Sequence, residues 1–279
     1  MRWLLCVLFM AVAACGAVGA DGSIVGSCKA VSGTVASDGF EVHYAQFRPG
    51  GLSDRAIVIM PPTGGMTFLE SRYAALFCKS GFSVYVVKAW TGMTETSLDL
   101  AVHNRLFGRA QRAIELILRE PAPGAFVGLL GTSVGGLHAA TAVGRLERVS
   151  AAFVIAAGAP VADVIAYTEQ DTLKSLRERR MREFGFSDRA AYRDALAAEF
   201  DWEPLAFAAG ARQKPLGMVI VRGDETVPTS RQEQLRDCWR PNVAYSVSGF
   251  PLGAHPVGII QAWWSHAEDI LAFFSRHAS

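Results

Sequence analysis

The sequence has few cysteines, no metal-ligand spacing, no block of like charge and no internal repeat. Five cysteines (Cys6, Cys15, Cys28, Cys78 and Cys238) among 279 residues are too few and too scattered for a disulfide scaffold. With no CxxC pair and no Cys/His cluster there is no zinc signature, and no metal is expected. The 27 basic and 26 acidic side chains are dispersed along the chain, which excludes a nucleic-acid-binding tail and a polybasic membrane patch. The only long apolar run, residues 3–14, falls short of the ~20 residues needed to cross a bilayer. No periodic self-similarity signals a solenoid or propeller. Hydrophobic residues make up 51% and charged residues 19%, enough to bury a core, so disorder is excluded. The length suits one large domain or two small ones.

Residues 1–20 carry a single cation at Arg2, then the apolar run, then small residues, the layout of a secretory signal. Two processing routes are compatible with it. Val12-Ala13-Ala14-Cys15 resembles a bacterial lipobox, making Cys15 a lipidation candidate, whereas Val18-Gly19-Ala20 suits cleavage after Ala20. The expected location is exported: periplasmic or a membrane-anchored lipoprotein in a bacterium, otherwise secreted, with membrane contact only through that anchor. Of the remaining cysteines, Cys78 falls in a helical pattern and is expected to stay unpaired. A Cys28–Cys238 bridge is left open.

The mature chain, residues 21–279, reads as one domain. Alternation interrupted at Ser37-Asp38-Gly39 predicts a β-hairpin between Val31 and Phe47. Ala56-Ile57-Val58-Ile59-Met60 is a continuous apolar run ended by two prolines, which predicts a strand covered on both faces. Strand patterns follow at 82–88, 125–130, 151–156, 216–221 and 242–247, and helical patterns at 67–79, 103–119, 136–145, 230–238 and 261–276. Strands alternating with helices predict an α/β fold with a mainly parallel central sheet and helices on both faces. The alternation breaks at about 160–215, where charged helical segments at 169–184 and 188–200 predict a helical insertion over the sheet edge.

The chemistry centres on Gly131-Thr132-Ser133-Val134-Gly135, between a strand pattern and a helix pattern. A serine on so sharp a turn needs glycines on either side, and the turn pushes its hydroxyl out over the sheet. A hydroxyl is a weak nucleophile without a base, and the base must be oriented by a third group. Of six histidines, only His255 is expected in a loop between the last strand and the last helix. Asp224, in Gly223-Asp224-Glu225-Thr226-Val227-Pro228 after a late strand, is the orienting acid, with Glu225 as the fallback. Donors for a developing oxyanion are expected from the amides of Val134 and of Thr63 or Gly64, since Pro61 and Pro62 have no N–H.

This ordered set resembles the α/β-hydrolase superfamily over most of the mature chain. The resemblance implies an α/β-hydrolase fold, a Ser133-Asp224-His255 triad and a helical lid formed by the insertion. It implies a serine hydrolase that cleaves a small-molecule acyl ester, a moderately hydrophobic one included, through an acyl-enzyme, with no cofactor. Many relatives carry His-Gly where this chain has Pro61-Pro62. Acyltransferase, thioesterase or peptidase activity would use the same triad, and a non-catalytic surface-anchored binding protein is a third reading. In the insertion, Val161, Val164, Ile165, Phe184, Phe186, Trp202 and Phe207 suit either an apolar substrate group or packing against the sheet.

Overall fold

A computed structural model of the chain describes residues 24–25, 28–51, 53–249 and 254–279. The export signal, Cys6, Cys15 and the cleavage site after Ala20 lie outside the described residues. Along the chain β1 (Ile24–Val25), β2 (Cys28–Ser37), β3 (Phe40–Arg48) and β4 (Arg55–Met60) lead into α1 (Phe68–Lys79). Then β5 (Ser83–Trp90) precedes α2 (Val102–Ile117), and β6 (Phe126–Thr132) precedes α3 (Val134–Arg145). After β7 (Ala151–Ile155) come α4 (Val161–Tyr167), α5 (Asp171–Phe184), α6 (Arg189–Ala198) and the single turn α7 (Ala208–Ala211). The last elements are β8 (Leu216–Arg222), α8 (Thr229–Trp239), β9 (Val243–Ser248) and α9 (Ala254–His277).

The nine strands among the described residues form one sheet in the order β1-β2-β3-β5-β4-β6-β7-β8-β9. Strands β1 to β3 pair antiparallel with each other, as β3 does with β5, whereas every pairing from β5 to β9 across the sheet is parallel. The hairpin turns at Asp38 and Gly39, whose φ values of 52° and 73° match the twist of a two-residue hairpin loop. Period-2 alternation divides β4 between two cores. Ala56, Val58 and Met60 join α2, α3 and α8 on one face, while Ile57 and Ile59 join α1 and α9 on the other. A strand buried on both faces reads as a continuous apolar run, and that is the sequence at 56–60.

Four helices, rather than the two charged ones expected, occupy the insertion between β7 and β8. Its apolar residues are used in packing. Val161, Val164 and Ile165 are buried, Phe186 meets Tyr192, and Phe207 lies against Gly144 of α3, although Phe184 is exposed. Trp202 covers Gly108 of α2 and stacks under Arg145. No helix among the described residues is long and apolar enough to cross a membrane.

Cys78 is not unpaired. It forms a disulfide with Cys28, with the Cα atoms 6.1 Å apart, and Cys238 is the free thiol among the described cysteines. The physical reason is the direction of α1: its inward face carries Tyr73, Ala74, Phe77 and Cys78, which brings the Cys78 thiol to the start of β2. A buried helical position is thus compatible with pairing when the opposite wall offers a second cysteine.

Candidate active site

Ser133 sits between the last residue of β6 and the first of α3 with φ 55° and ψ −123°, outside the regions that L-residues favour. Its amide donates to the Ile155 carbonyl at 2.8 Å, and its carbonyl accepts from Leu137 at 3.1 Å, so both sides of the strained residue are tied. The flanking glycines are required by contact. A Cβ on Gly131 would meet the Gly135 carbonyl oxygen at 2.3 Å, and one on Gly135 would meet the Met60 and Pro61 oxygens at 2.2 and 2.4 Å. The turn is therefore jammed against the end of β4.

His255 and Asp224 come to this serine. His255 Nε2 lies 2.8 Å from Ser133 Oγ, and His255 Nδ1 lies 2.6 Å from Asp224 Oδ2. Ser133 and Asp224 are buried, and the His255 side chain is 12% exposed. The position of His255 differs in one respect from the expectation. It lies in the first turn of α9, which begins seven residues earlier than the helical pattern suggested, because Pro256 is tolerated in a first turn where its missing N–H has no helical partner.

Asp224 is held from several sides. Its Oδ1 accepts from the amides of Thr226 at 2.8 Å and Val227 at 3.0 Å, and its Oδ2 accepts from Gln232 Nε2 at 3.1 Å. Glu225, the fallback acid, is exposed, and among the described residues only its backbone carbonyl is engaged, by the Glu169 amide at 2.8 Å. That bond ties the insertion to the acid loop. Asp163 of α4 adds a second tie, 3.0 Å from Arg231 of α8, whose carbonyl accepts from Ala159.

The remaining histidines are engaged elsewhere. His43 bonds Thr34 in the hairpin, His103 meets Arg180, and His266 meets Asp269. His277 lies against Phe273. His138 is wedged between Phe107 and Trp90, and burial pushes its imidazole down to about 3. Thr63 and Gly64 form the exposed centre of a turn closed by the Gly65 amide on the Pro62 carbonyl at 3.1 Å, with Gly64 at φ 95°. The exit of that turn is fixed by a capping box: Thr67 accepts from Leu69, and Glu70 accepts from the Thr67 amide at 2.8 Å. Val134 is the first residue of α3, so its amide has no acceptor within the helix. Nothing in the sequence marks Gln232, one of two glutamines on a polar helix.

No protein-family model and no curated protein matches the sequence. Solved structures do match. A Pyrococcus horikoshii acylaminoacyl peptidase superimposes with TM-score 0.62 at 15% identity over 91% of this chain, which spans only 42% of that one. Acetyl xylan esterase 1 from Thermoanaerobacterium sp. JW/SL YS485 gives 0.61 at 13% identity, over 94% of this chain and 87% of the other. A cold-adapted esterase from an Arctic intertidal metagenomic library gives 0.58 at 14%, over 95% and 100%. The chain has the α/β-hydrolase fold. Within an α/β-hydrolase fold the elbow serine, the loop after β8 and the start of α9 share the carboxyl edge of the parallel strands, where such sheets keep their reactive groups.

Proposed function

We propose that the protein is a serine hydrolase that cleaves carboxylic esters of small molecules through a Ser133-His255-Asp224 triad. The observation that carries this reading is the unbroken hydrogen-bond chain from Ser133 Oγ through both imidazole nitrogens to the buried Asp224 carboxylate, at 2.8 and 2.6 Å.

In that geometry His255 Nε2 takes the hydroxyl proton as Ser133 Oγ bonds to the ester carbonyl carbon, and Asp224 stabilises the imidazolium and fixes its tautomer. The carbonyl oxygen becomes an oxyanion, received by the Val134 amide and by the amide of Thr63 or Gly64. Collapse expels the alcohol, which takes the proton from His255 and leaves an acyl-Ser133. Water, deprotonated by His255, then releases the acid and regenerates the serine. Every proton and bond is balanced without a further reagent.

Esters are favoured over peptides by the comparisons. The esterase chains are matched over nearly their whole length, whereas less than half of the peptidase is matched. The insertion then forms one wall of the substrate site through its bonds to the acid loop. Export, by Cys15 lipidation or by cleavage after Ala20, is part of the same proposal, and the Cys28–Cys78 disulfide supports it, since such bonds persist in oxidising compartments.

The test is labelling by a fluorophosphonate probe together with turnover of p-nitrophenyl esters. Covalent modification at Ser133 and its loss in Ser133→Ala are the expected results. A folded, unlabelled parent that hydrolyses no ester would overturn the assignment.

A further inference from the structure

The triad accounts for three side chains, but the acid has a fourth neighbour that is equally buried. Gln232 lies on the first turns of α8 and has no exposed surface. Its Oε1 accepts from the Val221 amide at 2.9 Å. Its Nε2 donates to the Val227 carbonyl at 2.7 Å and to Asp224 Oδ2 at 3.1 Å, with the Val221 carbonyl farther away at 3.4 Å. The end of β8 and the loop beyond Asp224 therefore clamp the amide from two sides, and its orientation is set before it reaches the carboxylate.

The oxygen it reaches is the one His255 uses. Asp224 Oδ1 is saturated by the Thr226 and Val227 amides, and Oδ2 is shared by His255 Nδ1 and Gln232 Nε2. A carboxylate has about four lone-pair sites, and here each faces a donor. Without the Gln232 donor, Oδ2 would keep an unmet acceptor site in a dry interior, and either water would enter or the carboxylate would turn to a new partner. Either change alters the line from Asp224 to His255.

We infer that Gln232 is a positioning residue: it fixes and desolvates Asp224 Oδ2 so that the carboxylate holds His255 in line with Ser133. The inference rests on the hydrolase reading for its catalytic consequence, but not for its geometry. Charged or titratable groups around this position include Asp224, His255 beyond it, and Arg231 on the same helix, which pairs with Asp163 and lies over Tyr167, while Asp163 also faces Arg193.

Two substitutions test it. Gln232→Met keeps the volume and removes the donors. Gln232→Glu keeps an acceptor for the Val221 amide and has a donor only while the new carboxyl holds a proton. Fluorophosphonate labelling rates are measured across pH with the thermal midpoint as a check on folding. Proton NMR follows the His255 Nδ1 proton, assigned by its loss in His255→Ala.

In Gln232→Met the labelling rate should fall by about 10- to 100-fold, the scale of a small misalignment, with the Nδ1 resonance shifted or broadened. Gln232→Glu should approach the parent rate in acid and fall behind it as pH rises, which a merely structural residue would not do. An unmoved Nδ1 resonance and a parental labelling rate at every pH, in either folded variant, would overturn the inference. If Gln232→Met does not fold, Gln232→Glu decides. If the parent binds no probe but its Nδ1 resonance moves in the variants, the hydrolase assignment fails and the positioning role stands.

Discussion

His103 Nε2 lies 2.8 Å from Arg180 Nη1, and the guanidinium is fully buried. Every N–H of an arginine is a donor, so His103 must be the acceptor, neutral and protonated on Nδ1. The same guanidinium bonds the Tyr192 hydroxyl and the carbonyls of Ser97, Leu98 and Asp99. A helix of the insertion is thereby fastened to the segment leading into α2.

Acid should loosen this fastening. Burial, and then the Arg180 charge, push the His103 imidazole down from about 6.5 to about 4. The folded protein refuses a proton that the unfolded chain accepts, so His103 supports folding fully above about pH 6.5 and loses that support as pH falls toward about 4. Urea unfolding between pH 7.5 and 4.5 should show declining stability. In His103→Gln, which accepts without titrating, the slope should be shallower by up to about 1.4 kcal/mol per pH unit. An unchanged slope would show that His103 is not responsible.

Removing the arginine should be costly at neutral pH. Arg180→Met leaves the carbonyls of Ser97, Leu98 and Asp99, the His103 imidazole and the Tyr192 hydroxyl without that donor; water can reach the half-buried carbonyls, so only the groups it cannot reach cost about 1–3 kcal/mol each. A total loss of about 3–5 kcal/mol is expected in chemical denaturation, the scale of a broken buried charged network. Arg182, on the exposed face of the same helix, should change stability by less than about 0.5 kcal/mol when replaced by Ala.

Asp224→Asn should keep the fold and lose the reaction. The amide oxygen stays with the Thr226 and Val227 amides, so the NH2 faces His255 Nδ1 and puts the imidazole proton on Nε2, the wrong tautomer; ester turnover should fall by about 10⁴-fold in a protein that still folds. Glu225→Gln, on the exposed neighbour, should leave kcat within about twofold, by the rule for surface positions. Equal losses in the two variants would assign the acid wrongly.

Gly135→Ala should abolish labelling and lower native stability. The added methyl would stand 2.2 Å from the Met60 oxygen, which is backbone and cannot turn aside. Unfolding experiments should register a loss of more than about 2 kcal/mol, as for other overpacked sites. A folded, active Gly135→Ala would mean that β4 and the elbow have room to separate.

Peptide mapping without reduction should recover Cys28 joined to Cys78, with Cys238 alkylated as a free thiol. The sequence separation of 50 gives about 4 kcal/mol by the chain-entropy argument, so Cys28→Ser with Cys78→Ser should lower stability by about 2–4 kcal/mol. A Cys28–Cys238 peptide would contradict the fold at this edge.

Much of this arrangement was legible before any coordinates. The Asp-Gly turn, the doubly covered strand at 56–60 and the glycine-flanked Ser133 each have a local physical signature. The need for a base and an orienting acid follows from what a hydroxyl lacks, whereas the chain order serine, acid, histidine is what the resemblance to α/β-hydrolases implies. What escaped depended on contacts between distant segments. Arg177 and Arg180 belong to a run of charge that reads as a solvated helix face, yet both are buried because the segment before α2 offers carbonyls to one and α4 offers them to the other. Cys78 was read from its helix alone, and its partner lies 50 residues earlier on another element. The last helix starts seven residues before the pattern at 261–276, because a first turn accepts Pro256. Gln232 shows no sign of its role until β8 and the loop at Asp224 fold around it.

The sulfur link between β2 and α1 closes residues 28 to 78 into a covalent ring. That ring contains the hairpin, the strand β4 against which the serine turn is wedged, and the Thr63-Gly64 turn. Peeling that starts at the outer edge of the sheet must therefore stop at the crosslink, and the parts nearest the nucleophile are shielded from fraying by a bond far from the chemistry.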